Sequence, residues 1–503
     1  MRKLLAIFVL CALTSSVFAA RYKTHQLRDG TVLRFARQQA VQRVGEVPTK
    51  MWDANKVYRV PVVLFSFADC DFSWEDPREY YDRMFNEKGY NPGEGPGCVA
   101  DYFRAQSNGL FNIQFDIIGP VKLTTNQKSK AKENQGWLQI NEALKAVDPE
   151  VDFSVYDWDG QGRVQAVILI YAGYGGNEDT KSKGNITDGC IWPNTNFYYA
   201  TLDGVLLRYY SASNELWSTN QSAGIGTIIH EYCHTLGLPD LYPTAGNEYS
   251  IVDEWDVMDG GCYSGDGWCP VNLSSHEREQ LNWQAPVDLT TSGDVTMPAF
   301  DQSGLAYRII NDAYLDEFYL LENRQQVGWD KMLPGHGLMV AHVDYRDYAW
   351  SANTVNVNPD HHCYDLFHAD GLDFNYYENL YGRKNKYNED GRSIRLQYTA
   401  YPYTDSLGVV YDALTDTTTP AATLYYARSD GSFFMGKPIT QIRETDGLIS
   451  FHFSATPDAI TMLSTDATPV AIYSLQGHLV QSPSRGIFIV KYADGTVRKV
   501  KYE

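Results

Sequence analysis

Residues Gly224–Tyr242 read GIGTIIHEYCHTLGLPDLY, and this stretch decides the fold. Taken as a helix at ~100° per residue with Ile225 at the origin, Ile228, Ile229, Tyr232 and Leu236 fall within about 60° of it and form one core stripe. On the same wheel His230 falls near about 140° and His234 near about 180°. The two histidines are therefore expected to share a face turned away from the core.

Imidazoles at i and i+4 stand one above the other, the spacing that lets both bind a single zinc ion. Glu231, beside the first histidine, is placed to take a proton from a water activated by that ion and to pass it to a leaving amine. Gly237 follows His234 by three residues, where a glycine can end the helix in a left-handed cap and turn the chain. Asp240 then stands six residues after His234, able to swing back as a third ligand. A catalytic zinc takes three protein ligands and keeps one position open, and His230, His234 and Asp240 supply three.

This arrangement resembles the metzincin metallopeptidases, whose long motif is His-Glu-x-x-His-x-x-Gly-x-x-His or Asp with a Met-turn downstream. The segment EWDVMDGG places Met258 eighteen residues after Asp240 as the corresponding methionine. The resemblance implies an apolar floor there, not a ligand. VPVVLFSFAD, CVADYFRAQSNGLF, SSHEREQLNW and FYLLENRQQVGWDKMLPGHGLMVAHVD narrow the likeness further, to the immune inhibitor A-type secreted bacterial metallopeptidases. It runs from about residue 58 to 455. It implies a zinc endopeptidase acting on protein or peptide substrates, with Glu231 as general base and His230, His234 and Asp240 as ligands.

Some positions depart from that pattern. The family often carries an Asp-rich calcium loop before the central strand; here YDWDGQGRVQ keeps Asp157 and Asp159 but has Gln161 and Gln165 where acids are expected, and Ile168 where an EF-hand-like loop would close with Glu. The loop is read either as a calcium site or as a solvated turn. Some metzincins place a tyrosine two residues after the methionine to steady the oxyanion; here that position is Gly260, with Tyr263 the nearby candidate. Glu254 and Glu277 are alternative third ligands, although Glu277 reads more simply as a solvated helix face. The pair His361-His362 reads as an exposed loop, or else as a second metal site. A rival reading of the whole chain is a non-catalytic surface protein with a structural metal; the intact Glu231 argues against it.

The chain has 503 residues, with 62 acidic side chains against 42 Lys and Arg and a net charge of −20. So acidic a surface repels phosphate backbones, which excludes nucleic acid as a partner. Residues 1–20 (MRKLLAIFVLCALTSSVFAA) have the charged start, apolar run and small-residue end of a secretory signal peptide, cut near Ala19 or Ala20. No later stretch is long and apolar enough to span a membrane. Export permits disulfides, and Cys262 and Cys269, flanking a Gly-rich loop, are the favoured pair among seven remaining cysteines.

The expected organisation is a leader or pro-segment (21–55), an α+β metzincin-like zinc peptidase domain (56–288), an all-β sandwich domain (289–455) and a small β tail (456–503). Residues 21–50 hold no cysteine, so any self-inhibition would use a carboxylate such as Asp29; Asp29-Gly30 also reads as a plain turn. The tail, with IYSLQGHLV and GIFIVKYADGTVRKV, resembles sorting domains that Bacteroidetes append to cargo of the type IX secretion system. That resemblance implies passage across the outer membrane to a released or cell-surface location.

Overall fold

The computed structural model describes residues 24–34, 52–129, 136–245, 250–372, 386–455, 469–483, 486–493 and 495–502. The expected signal peptide and its cleavage site lie outside these, as do residues 35–51 of the expected leader. In chain order the strands are β1 (Thr24–Gln26), β2 (Val32–Arg34), β3 (Tyr58–Ser66), β4 (Ile113–Lys122), β5 (Arg163–Val164), β6 (Val167–Tyr174), β7 (Asn194–Leu202) and β8 (Val205–Leu216). The second half carries β9 (Val287–Asp288), β10 (Gly293–Met297), β11 (Ala306–Ile310), β12 (Glu317–Arg324), β13 (Gly337–Asp344) and β14 (Tyr364–Leu366). After these come β15 (Tyr403–Thr404), β16 (Val410–Tyr411), β17 (Ile439–Thr445), β18 (Leu448–Phe453), β19 (Pro469–Tyr473), β20 (Gly486–Tyr492) and β21 (Val497–Tyr502).

The first half is built on a sheet in which β4, β3, β6 and β8 run parallel, with short β5 also parallel to β8 and β7 antiparallel on it. The apolar run of β3 explains why the sheet is covered twice. Val60, Val62 and Leu64 face one core with the helices Pro77–Asn86, Val99–Gln106 and Gly226–Thr235, whereas Val63 and Phe65 face another with the helix Trp137–Val147. A strand buried on both faces reads as a continuous hydrophobic run, the mark of a parallel sheet. Strands and helices thus combine in a mixed α/β unit, which β-rich regions follow.

The helix Gly226–Thr235 is buried along its whole length, so the predicted outward face is itself covered. A wheel registers only the apolar side; here β7, β8 and the turn Gly260–Tyr263 pack on the helix as well. Burial of Ile228, Ile229, Tyr232 and Leu236 contributes about 1.5–3 kcal/mol per side chain to holding it there. Gly226 permits the close approach, because a Cβ at this position would lie 1.7 Å from the Cys262 carbonyl oxygen.

Past residue 285, β14-β13-β12-β11-β9 form one sheet and β10-β18-β17 another. Ile309, Tyr319, Leu321 and Val340 from the first share a core with Met297, Ile439, Ile449 and Phe451 from the second. The tail contributes an antiparallel three-stranded sheet, β19-β20-β21. No helix among the described residues is long and apolar enough to cross a membrane.

Two side-chain expectations are corrected. Cys262 and Cys269 are not joined: the first sulfur lies 3.4 Å from the Asp259 carbonyl and the second 3.5 Å from that of Trp329. His361 and His362 are not an exposed loop, since His361 stacks on Tyr425 and pairs with Asp344 while His362 is buried against Asp365. Asp29 is exposed and accepts the Thr31 N–H within the β1–β2 connection, the turn that Asp29-Gly30 also reads as. The buried residues of that hairpin are His25, Leu27, Thr31 and Leu33.

Candidate metal centre

The centre begins with how its helix ends. Gly237 has φ +99°, the Gly237 N–H donates to the His234 carbonyl and the Leu238 N–H to that of Cys233. This paired closure is a Schellman turn, available to glycine because it has no Cβ to clash. It reverses the chain within three residues and returns Asp240 to the two histidines.

His230 Nε2 and His234 Nε2 each lie 3.2 Å from Asp240 Oδ1. The far ring nitrogens are anchored by the backbone: His230 Nδ1 is 2.9 Å from the Val257 carbonyl and His234 Nδ1 is 2.8 Å from that of Leu238. A carbonyl only accepts, so each Nδ1 carries a proton and each Nε2 is the nitrogen turned to Asp240. Asp240 Oδ1 is buried and makes no hydrogen bond. Two imidazole nitrogens and one carboxylate oxygen thus converge on one point in a buried pocket, an arrangement suited to a cation held between them. Two zinc–ligand bonds of ~2.0 Å meeting near the tetrahedral angle span ~3.3 Å, so the donor set fits zinc.

The electrostatics agree. Burial disfavours charge on His234, yet the Asp240 carboxylate beside it lifts its pKa to about 9. Burial likewise opposes charge on Asp240, but the two imidazoles hold its carboxyl far below the usual range. The pocket therefore draws a positive charge, which a proton or a metal ion can supply.

Glu231 sits beside the cluster, with its carboxyl pushed up by burial against the pull of both histidines. Thr195 of β7 places its hydroxyl 2.9 Å from Glu231 Oε2. Met258 is fully buried, and its carbonyl accepts the Leu241 N–H at 2.9 Å, tying the 256–261 turn to the ligand loop. Tyr242 stacks near His230 at 6.5 Å between ring centroids. Tyr263 is buried against His25 and Trp217 and lies within electrostatic reach of Glu231 and Asp240.

The other predicted positions lie elsewhere. Asp157 accepts N–H groups from Gly160, Gln161 and Gly162, and Asp159 pairs with Arg163. The loop is thereby closed on itself, and the metal-capable groups among the described residues do not include it. Glu277 is 2 % exposed, not solvated, and forms a capping box with Ser274 at the start of helix Ser275–Gln280. Glu254 falls in a second buried group with His25 and Asp253, where the Arg395 guanidinium lies 3.3 Å from Asp253 and already supplies positive charge.

Two contributors have no local signature in the sequence, Thr195 and Asn353. Asn353, from the loop after helix Asp347–Ser351, donates from Nδ2 to Asp240 Oδ2 at 2.7 Å and accepts the Asp240 N–H at 2.7 Å. Only its tertiary placement reveals it.

Sequence comparison finds similar proteins. The chain is 23% identical over 274 residues to the pre-pro-metalloprotease PrtV of Vibrio cholerae serotype O1, an alignment covering 47% of this chain and 28% of that protein. It is 25% identical over 294 residues to immune inhibitor A of Bacillus thuringiensis subsp. alesti, covering 47% of this chain and 42% of that protein. The chain thus spans less than half the length of either relative. Residues 41–285, which hold the whole His230–His234–Asp240 cluster, match the catalytic domain of immune inhibitor A peptidase M6.

Proposed function

We propose that the protein is a zinc-dependent endopeptidase that cleaves protein substrates at the His230–His234–Asp240 centre. The observation that carries this reading is the convergence of two Nε2 atoms and one unbonded carboxylate oxygen beside Glu231. Zinc, when bound, supplies Lewis acidity that polarises the scissile carbonyl and acidifies water. Glu231 takes the proton from the attacking water and returns it to the leaving amine. Its raised pKa suits both halves of that transfer. Thr195 holds the carboxyl in place, Met258 lines the floor below the ligands, and Tyr263 is the group available to steady the developing oxyanion.

The same reading makes residues 1–20 a removed export signal and 21–55 a pro-segment. It places the peptidase domain at 56–288, a β-sandwich at 289–455 and a sorting module for type IX secretion at 456–503. The product is a secreted or cell-surface enzyme.

The test is casein hydrolysis by the mature protein together with its zinc content. The wild type is expected to bind zinc, to cleave casein and to lose cleavage with a chelator. Glu231→Ala should keep its zinc and lose hydrolysis. Equal activity in Glu231→Ala, or activity indifferent to chelators, overturns the reading.

A further inference from the structure

A carboxylate ligand has two oxygens and one soft torsion, so something must decide which oxygen faces the ion. In this chain the decision is made by a residue far downstream. Asn353 Nδ2 donates to Asp240 Oδ2 at 2.7 Å, and Asn353 Oδ1 accepts the backbone N–H of the same aspartate at 2.7 Å. The chemistry fixes the amide orientation, because a carboxylate requires a donor and an N–H requires an acceptor. Asn353 therefore closes a ring on residue 240, occupying Oδ2 and leaving Oδ1 pointed at both imidazoles.

The asparagine is itself held. It has φ +54°, a left-handed conformation that asparagine tolerates better than most residues. Its carbonyl accepts the Thr244 hydroxyl at 2.6 Å. Three residues on, Asn356 Nδ2 donates to the Leu241 carbonyl at 2.7 Å and to that of Tyr364 at 2.8 Å. The Tyr364 N–H returns a bond to Asn356 Oδ1 at 3.0 Å. Two asparagines thus clamp the loop 240–244 onto β14. Asp240 is 0 % exposed and Asn353 5 %, so bulk water cannot readily replace these bonds.

We infer that Asn353 is a positioning residue that fixes Asp240 as a single-oxygen ligand, so that metal retention depends on the β-rich region beyond the matched peptidase segment. The inference rests on the zinc reading given above. Residues bonded to a metal ligand typically alter affinity by about 10–100-fold when replaced. An unrestrained Asp240 could rotate either oxygen toward the site or turn away, and the pocket would hold its ion less tightly.

The discriminating variant is Asn353→Asp in the full chain. It keeps the side-chain shape and the acceptor for the Asp240 N–H, but it removes the donor and sets a second carboxylate against the first. Zinc affinity is read by competition with a chromophoric chelator, and folding by near-UV circular dichroism of the zinc-free protein. The expected result is a native spectrum with zinc held about 10–100-fold more weakly than in the wild type. A residue that merely supported the fold would lower stability and leave the zinc constant in place. Should Asn353→Asp not accumulate as folded protein, the same titration on Asn353→Ser decides. Unchanged zinc affinity in a folded variant overturns this inference alone; a wild type that takes up no zinc overturns the proposed function with it.

Discussion

The Thr195 hydroxyl lies 2.6 Å from the backbone carbonyl of Glu231 and 2.9 Å from its side-chain Oε2. One hydroxyl has one proton to give, so the two acceptors compete for it. When Glu231 is ionised its carboxylate is the stronger acceptor; when it holds a proton, the hydroxyl can turn to the carbonyl. Thr195→Val removes this donor at nearly constant volume. A hydrogen bond to a charged group is worth about 1.5–3 kcal/mol, which corresponds to a fall in kcat of about ten- to a hundredfold if the bond serves the transition state. Thr195→Ser should stay near wild type. Peptide hydrolysis measured alongside zinc content checks this, since both variants should retain the metal.

Stability should decline as pH rises from 5 to 8 in the zinc-free protein. Burial pushes Glu178 and Glu215 up to about 7 from an ordinary 4.5. It also raises Glu254, with Asp253 beside it, and Asp256, which faces Glu322. Each group binds its proton more tightly in the folded state. Its contribution is therefore full below the unfolded value and lost as pH climbs through the folded one. His276, held down to about 3 by burial, and His361, also lowered by burial, act in the opposite sense up to about pH 6.5, against a larger set of raised carboxyls that includes Glu277. A urea midpoint higher at pH 5 than at pH 8 is the expected outcome, and Glu178→Gln with Glu215→Gln should flatten the slope.

Arg324 joins the two halves of the molecule. Its guanidinium meets Asp330 through two bonds of 2.7 Å and Glu322 at 3.1 Å, all three residues being fully buried. Asp330 in turn accepts the Asn272 N–H, and Glu322 that of Ser275. Truncation to alanine strands two carboxylates without water. Arg324→Ala is expected to cost about 3–5 kcal/mol in chemical unfolding, because breaking a buried pair leaves uncompensated charge. Arg324→Lys should recover part of that loss but not the bidentate geometry.

Zinc should stabilise the fold directly. Its ligands are assembled only in the native state, so binding adds to the unfolding free energy by RT ln(1 + [L]/Kd), or about 4 kcal/mol at a thousandfold excess over Kd. Thermal scans with and without chelator check this. The shift should vanish in His234→Ala.

The helix, its closing glycine and the returning aspartate are legible in GIGTIIHEYCHTLGLPD because backbone capping and i, i+4 geometry are local. The parallel sheet is legible only as unbroken apolar text in YRVPVVLFS and VILIYAGY, which does not specify strand order. Glu277 misleads for a physical reason: its helix has six residues, too few for a wheel to distinguish one covered side from two. Thr195 and Asn353 carry no signal, since each meets the centre across a long stretch of chain with an ordinary polar side chain.

Trp52 brings two distant parts of the chain together. Its indole N–H donates to the Leu281 carbonyl at 2.6 Å, and its ring lies 6.2 Å from that of Trp283. The two ends of the stretch from residue 52 to 283 therefore share one corner. Sequence added ahead of that corner or behind it can grow outward without threading past the His230–His234–Asp240 cluster.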